Sequence, residues 1–174
     1  MAAYYIYLIS SLPMLQFGMK IPFSYEKFLM MCRDLIPEHE TALLEAIYRG
    51  DEHVYDDLFP ALKEWGRFDM ALRNELVKIR AARKHIDPVK YLRLDGHDGP
   101  AISHIALNAH RIPSLTEAEK MLDQERWHAL DEITAAHYFD IDVLIAYAYK
   151  LLILEKWERV RSAERERILE EALS

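Results

Sequence analysis

The sequence predicts an all-α fold, on three observations. Apolar residues recur at three- and four-residue spacing, with Phe68, Leu72, Leu76 and Ile79 forming the clearest stripe, the pattern of a helix that buries one face. Only 5 glycines occur in 174 residues, which leaves few sites for the tight turns of a many-stranded sheet. The run IDVLIAYAYKLLILEKWERV at 141–160 is apolar around nearly the whole helical circumference, so it belongs at the centre of a helical body. Together these describe an irregular bundle around a buried C-terminal helix, with the N-terminal segment packed on it. The length suits a single domain over 1–174, and a domain near this size buries roughly 70% of the surface of its unfolded chain.

The elements follow in order. The opening run YYIYLISSLPML, from Tyr4, has no Lys or Arg before Lys20 and is cut at Pro13, so it suits neither a secretory signal nor a membrane span. It reads as a terminal segment that lays three tyrosines and two isoleucines onto the body; tyrosine and isoleucine also favour strands, so helix and strand stay open here. GMKIPFS is a connector, and Ser24 is placed to cap a helix beginning YEKFLMMCRDLI. Pro37 suits the first turn of the next helix, PEHETALLEAIYR, which Gly50 closes. The acidic stretch DEHVYDDLFPALKEWG, broken at Pro60, reads as one or two short turns covering the core through Val54, Leu58, Phe59, Leu62 and Trp65.

From Arg67 a helix runs to about Lys84 on the stripe named above. A loop-like region encloses a short helix at AISHIALNAH, and Ser114 or Thr116 caps a helix with Ala118, Leu122, Ala129, Ile133 and Ala136 on one face. The apolar run at 141–160 carries Asp142, Lys150 and Glu155, each costing about 2.5 kcal/mol or more near a bilayer centre, so it reads as a core helix and not a membrane span. SAERERILEEALS reads as a separate, capped, mostly exposed helix.

The net charge of -7 argues against general affinity for nucleic acid. The single cysteine, Cys32, shares an apolar stripe with Phe28, Leu29, Leu35 and Ile36 and reads as an inert core thiol in a reducing compartment. Glu125-x-x-His128 has the spacing used by di-iron carboxylate bundles but lacks a second such motif. Neither the pair His104 and His110 nor the pair His128 and His137 shares a helical face. DGHDG at Asp95 lacks the glutamate of a calcium loop, with Ala106 in its place. No nucleophile elbow, phosphate loop or dinucleotide fingerprint occurs, and nothing marks Asp56 and Asp57 as an acid/base pair. The reading is a protein without catalytic residues, cofactor or metal.

One electrostatic feature stands out in this acidic chain. Residues 66–95 carry eight cations, Arg67, Arg73, Lys78, Arg80, Arg83, Lys84, Lys90 and Arg93, against Asp69, Glu75, Asp87 and Asp95. Arg73, Arg80 and Lys84 project within a narrow arc beside the apolar stripe, and Arg83 falls inside the stripe's sector. Either these cations face acidic helices around Asp123, Asp131 and Glu132, or they dock a partner; both readings stay open, for different residues.

The segments YYIYLISSLP, KIPFSYEKFL, LRNELVKIRAAR, AEKMLDQERWHALDE and HYFDIDVLIAYAYKLLILEKW together resemble an uncharacterised bacterial family encoded among V-type rotary ATPase genes. The pair Arg73 and Asn74 in the basic helix, and KLLILEKW, are also similar to the C (d) subunit, the helical cup joining the central shaft to the membrane ring. The chain is shorter than that subunit. The resemblance implies a non-catalytic stalk or assembly subunit, cytoplasmic and peripheral to the membrane through the complex, whose partners are the central shaft or the membrane ring, docked through Arg73, Asn74, Arg80 and Lys84. The alternatives are a helical adaptor for another partner and a metal-dependent oxidase-like bundle.

Overall fold

The computed structural model describes residues 2–51, 58–93 and 100–173, so Val54, Asp56, Asp57 and Asp95 lie outside the described residues. The fold is all-α: seven α-helices and a short 3-10 turn, with no strand among the described residues. The chain groups into two compact units, one formed by residues 1–55 with 136–174, the other by residues 56–135. Among the described residues no helix is long and apolar enough to cross a membrane.

The first unit holds α1 (Ala2–Ser11), α2 (Tyr25–Cys32), α3 (Glu38–Arg49) and α7 (Ile141–Leu173). The caps are those the sequence signals. Ser24 accepts the Lys27 amide at the start of α2, and Gly50 ends α3 with φ 79°, a left-handed conformation that any side chain would strain. Leu144, Ile145, Ala148, Leu151 and Leu154 of α7 are buried, as a helix apolar on all sides requires. Tyr25 is fully buried and its hydroxyl donates to the Leu44 carbonyl at 2.8 Å. Its amide donates to Glu155 Oε1 at 2.8 Å. The carboxylate that interrupts the apolar run of α7 thus satisfies an orphan N–H at the positive end of α2. Two further side chains of α7 hold the connector before α2: the Tyr147 hydroxyl donates to the Pro13 carbonyl, and Arg161 donates to the carbonyls of Gly18 and Met19.

Two expectations for this unit are corrected. The N-terminal run is a helix, but it does not lay its tyrosines on the body: Leu8 is buried, Tyr5 is half-buried with its hydroxyl donating to Glu40, and Tyr4, Ile6 and Tyr7 are exposed. A ten-residue helix apolar on every side carries no polar face to show which side turns inward. The C-terminal segment is no separate helix either. Ser162 lies inside α7, which continues unbroken because no Gly or Pro occurs between Ile141 and Leu173.

The second unit holds α4 (Pro60–Lys84), the 3-10 turn Pro88–Tyr91, α5 (Pro100–Arg111) and α6 (Leu115–Ile133). Helix α4 begins seven residues earlier than the stripe from Arg67 suggests. Pro60 opens it at N1, where the missing N–H would have had no partner and the fixed φ favours the helix; the residue read as a break is a start. Phe59, Leu62 and Trp65 are buried as expected, whereas Leu58 is exposed. Ser114 caps α6 by accepting the Glu117 amide. Helix α6 ends at Ile133, so Ala136 falls beyond it and is exposed. Leu72 of α4, Ala106 and Ala109 of α5 and Leu122 of α6 form the core, with Phe68, Leu76, Ile79, Ile102, Ile105 and Met121 packed against it. Alanine at the α5 positions lets that helix approach α4 closely, since helix separation follows side-chain size at the contact.

Candidate functional site

Helix α4 has an inner and an outer set of charges. On the inner side Arg126 of α6 gathers three carboxylates: Asp123 at 2.8 Å, Asp69 of α4 at 3.3 Å and Glu119 at 3.5 Å. Burial alone would lower the affinity of this guanidinium for its proton, but the three carboxylates outweigh it and the net shift is upward. Asp123 is 2% exposed, so this is a buried ionic knot.

The sequence-predicted residues divide around it. Arg73 Nε pairs with Asp69 Oδ2 at 2.7 Å, one turn away on the same helix. Asn74 is 6% exposed, and its amide holds the backbone of Arg93 twice, donating to the carbonyl at 2.8 Å and accepting the N–H at 3.0 Å. Both residues therefore serve the second unit from within, Asn74 by pinning the segment after the 3-10 turn to α4. Arg80, Arg83 and Lys84 are exposed and form no ion pair or side-chain hydrogen bond among the described residues. Arg126, not counted among the cations expected there, pairs with Asp123, while Arg73 pairs with Asp69 and Lys78 with Glu75.

These three cations border a groove of about 500 Å³ between α4, the end of α5 and the start of α6. Its lining includes Leu76, Ile79, Ala109, Ile112, Leu115 and Leu122, with His110 and Glu119 at the margin. The turn between α5 and α6 supplies part of the wall: Ile112 and Pro113 follow α5 and Ser114 caps α6, while Leu76 and Ile79 of α4, which also pack against the core, line the hollow beside them. Leu115 on the far rim is 82% exposed. An apolar floor edged by cations that have no ion pair among the described residues can bind an anionic amphipathic surface. The chain has a second hollow of about 560 Å³ in the first unit, but it is more open; of its carboxylates Glu155, Glu158 and Glu166, the first two are taken up by the Tyr25 amide and Arg161.

A signal for this division was available in the sequence. Arg73 has Asp69 four residues before it and Lys78 has Glu75 three before it, and both pairs form. Arg80, Arg83 and Lys84 have no acid at either spacing within the helix. The floor had no such signal, since it joins residues of three helices.

His137 belongs to one further cluster, which spacing along a helical face does not reveal. His137 Nδ1 lies 2.7 Å from Asp140 Oδ2 and 3.4 Å from Asp142 Oδ2, a set of donors close enough together for a metal ion. Part of this cluster also has a structural use. Asp140 Oδ1 accepts the Val143 amide in the first turn of α7, and the imidazole faces both carboxylates. Glu125 and His128 belong to no such group among the described residues.

Residues 100–172 match a family described as a protein of unknown function (DUF2764), from the start of α5 into the last turn of α7 and over less than half of the chain. That description carries no link to a rotary ATPase. No curated protein and no solved structure matches the chain.

Proposed function

We propose that this chain is a non-catalytic docking subunit that binds an acidic partner through the groove of the second unit. The observation that carries the reading is the contrast along α4, where Arg73 and Lys78 are matched by acids and Arg80, Arg83 and Lys84 border an uncovered apolar floor. Close charge pairs across a partner interface have shown couplings of about 1.5 to 7 kcal/mol, far more than exposed pairs within one chain. The sequence resemblance supplies the partner: a bacterial V-type rotary ATPase, which the chain would serve as a stalk or assembly subunit at the central shaft or the membrane ring. Its work there is mechanical, holding surfaces together by shape and charge while nucleotide chemistry stays in other subunits. It would be cytoplasmic and reach the membrane only through the complex.

The test is co-purification of the full chain with rotary ATPase shaft and ring subunits, at low and at physiological salt. The parent chain should carry at least one of them, and the triple variant R80E/R83E/K84E should lose it while keeping its helical circular dichroism. A parent chain that recovers another protein and no rotary ATPase subunit would make it a helical adaptor for that partner. A triple variant that still binds its partner would remove the groove rim from the account.

A further inference from the structure

We propose that the groove of the second unit receives a single amphipathic α-helix whose apolar stripe is flanked on one side by Asp and Glu. The inference rests on the docking reading of the same groove and adds the form of its occupant.

Length is the first argument. The α4 residues that line the groove run from Leu76 to Lys84, eight residue steps or about 12 Å of helix. A bound helix that anchors apolar residues at i, i+3 or i+4, and i+7 needs about 10.5 Å, so the floor seats two turns.

Charge is the second. Arg80, Arg83 and Lys84 all stand on the α4 rim, while the opposite rim is Leu115, Ala118 and Glu119, and Glu119 lies 3.5 Å from Arg126. The complementary surface is therefore an apolar stripe with carboxylates along one flank. An α-helix offers this whenever acids stand next to its apolar positions.

Elimination is the third argument. Strand addition needs a sheet edge, and the described residues contain no strand. Polyproline segments dock on grooves lined by Trp, Tyr or Phe, and none of these lines this one among the described residues.

The experiment uses the full chain and fluorescein-labelled peptides of about 14 residues. One carries Leu at helical spacing with Glu along one flank, the second has the same composition scrambled, and the third has Lys for Glu. Fluorescence anisotropy should show the first binding at least about tenfold more tightly than the other two. Ala118→Trp, which fills the groove, should weaken that binding about tenfold or more. Leu115→Lys, at an exposed rim position where folding is not at stake, should weaken it as well.

Three results would overturn the proposal: no binding of the first peptide, equal binding of the scrambled one, or binding indifferent to both substitutions. The scrambled result would make the rim a flat charged patch. Failure here is separable from failure of the functional reading. A peptide that binds while rotary ATPase subunits do not co-purify keeps the helix and changes its owner. A peptide that does not bind, while R80E/R83E/K84E still loses the ATPase subunits, keeps the partner and rejects the helix.

Discussion

The two units bury their titratable groups in opposite forms. In the first unit they are neutral: burial pushes the Cys32 thiol up to about 12 and carries the phenols of Tyr5 and Tyr147 above their ordinary range. In the second unit they are paired with cations: Asp123 and Glu75 are buried, and each faces a cation, Arg126 or Lys78. The exception is Asp142 in the first unit, which sits beside His137 at the start of α7. The difference explains where the surplus charge lies. The carboxylates Asp69, Asp123 and Glu119 converge on one interior arginine, so Glu119, the one carboxylate among the described residues of the groove's lining, is drawn to Arg126. The ionic interior thus leaves the cationic rim exposed.

The comparison breaks most sharply at Arg126. Replacing it with Met keeps much of the apolar stem but leaves Asp123 and Asp69 without the guanidinium they share. Removing one partner from a buried ion pair costs about 3 to 5 kcal/mol. R126M should therefore lose about 3 kcal/mol in chemical denaturation, followed through the neighbouring Trp127, which is buried. Adding D123N should cost less than the two single changes combined, since the contacting groups form one network. A loss below about 1 kcal/mol, the range of exposed pairs, would mean that the knot is solvated and the contrast between the units is false.

Much of this architecture was legible beforehand, and the reason lies in particular residues. Ser24, Gly50 and Ser114 announce helix ends by local chemistry. The run from Ile141 announces its burial because a long helix apolar around its whole circumference belongs at the centre of a helical body. What was hidden depended on distance in sequence or on ambiguity. Asp69 and Arg126 lie 57 residues apart, and Asn74 reaches 19 residues to Arg93, so neither partner follows from helical spacing. Pro60 is equally compatible with a break and a start. In α1 the missing polar face left the exposed side undetermined. Of the docking residues proposed from sequence, Arg80 and Lys84 reach the groove, and Arg83 joins them from a sector assigned to the apolar stripe.

A medium effect tests the neutral interior of the first unit. A buried thiol raised to about 12 keeps its proton in the folded state, whereas in the unfolded chain it titrates near its ordinary value, about 8.5. The folded state then binds more protons between these values. The contribution of Cys32 is complete below the lower value and is lost as pH rises toward the upper, with a slope of at most about 1.4 kcal/mol per pH unit. Tyr5 and Tyr147 add losses of the same sign at higher pH. Stability measured by denaturation should fall from about pH 9 upward, and Cys32→Ala, although it leaves a small cavity, should flatten the first part of that fall. In the folded protein the thiol should resist alkylation near neutral pH and react once unfolded, because the thiolate is the nucleophile. Ready alkylation of the native protein would place Cys32 at the surface.

The smallest expected effect separates two arginines on one helix. Arg73 is exposed and shares Asp69 with Arg126, so Arg73→Gln removes the more exposed of two partners and leaves the carboxylate still paired. An exposed pair at this spacing is worth about 0.3 to 0.5 kcal/mol. Arg80 has no carboxylate partner among the described residues. Arg80→Gln should therefore leave stability within about 0.5 kcal/mol, as surface changes away from special contacts do. The two variants are best compared by thermal melting at low and high salt, since screening weakens exposed pairs. Arg73→Gln should melt slightly below the parent at low salt and approach it at high salt, while Arg80→Gln should follow the parent at both. In partner binding the order should reverse, with Arg80→Gln the more damaging. If Arg80→Gln instead melts well below the parent, the guanidinium supports the fold at the end of α4, and the rim cations belong to the unit's own stability.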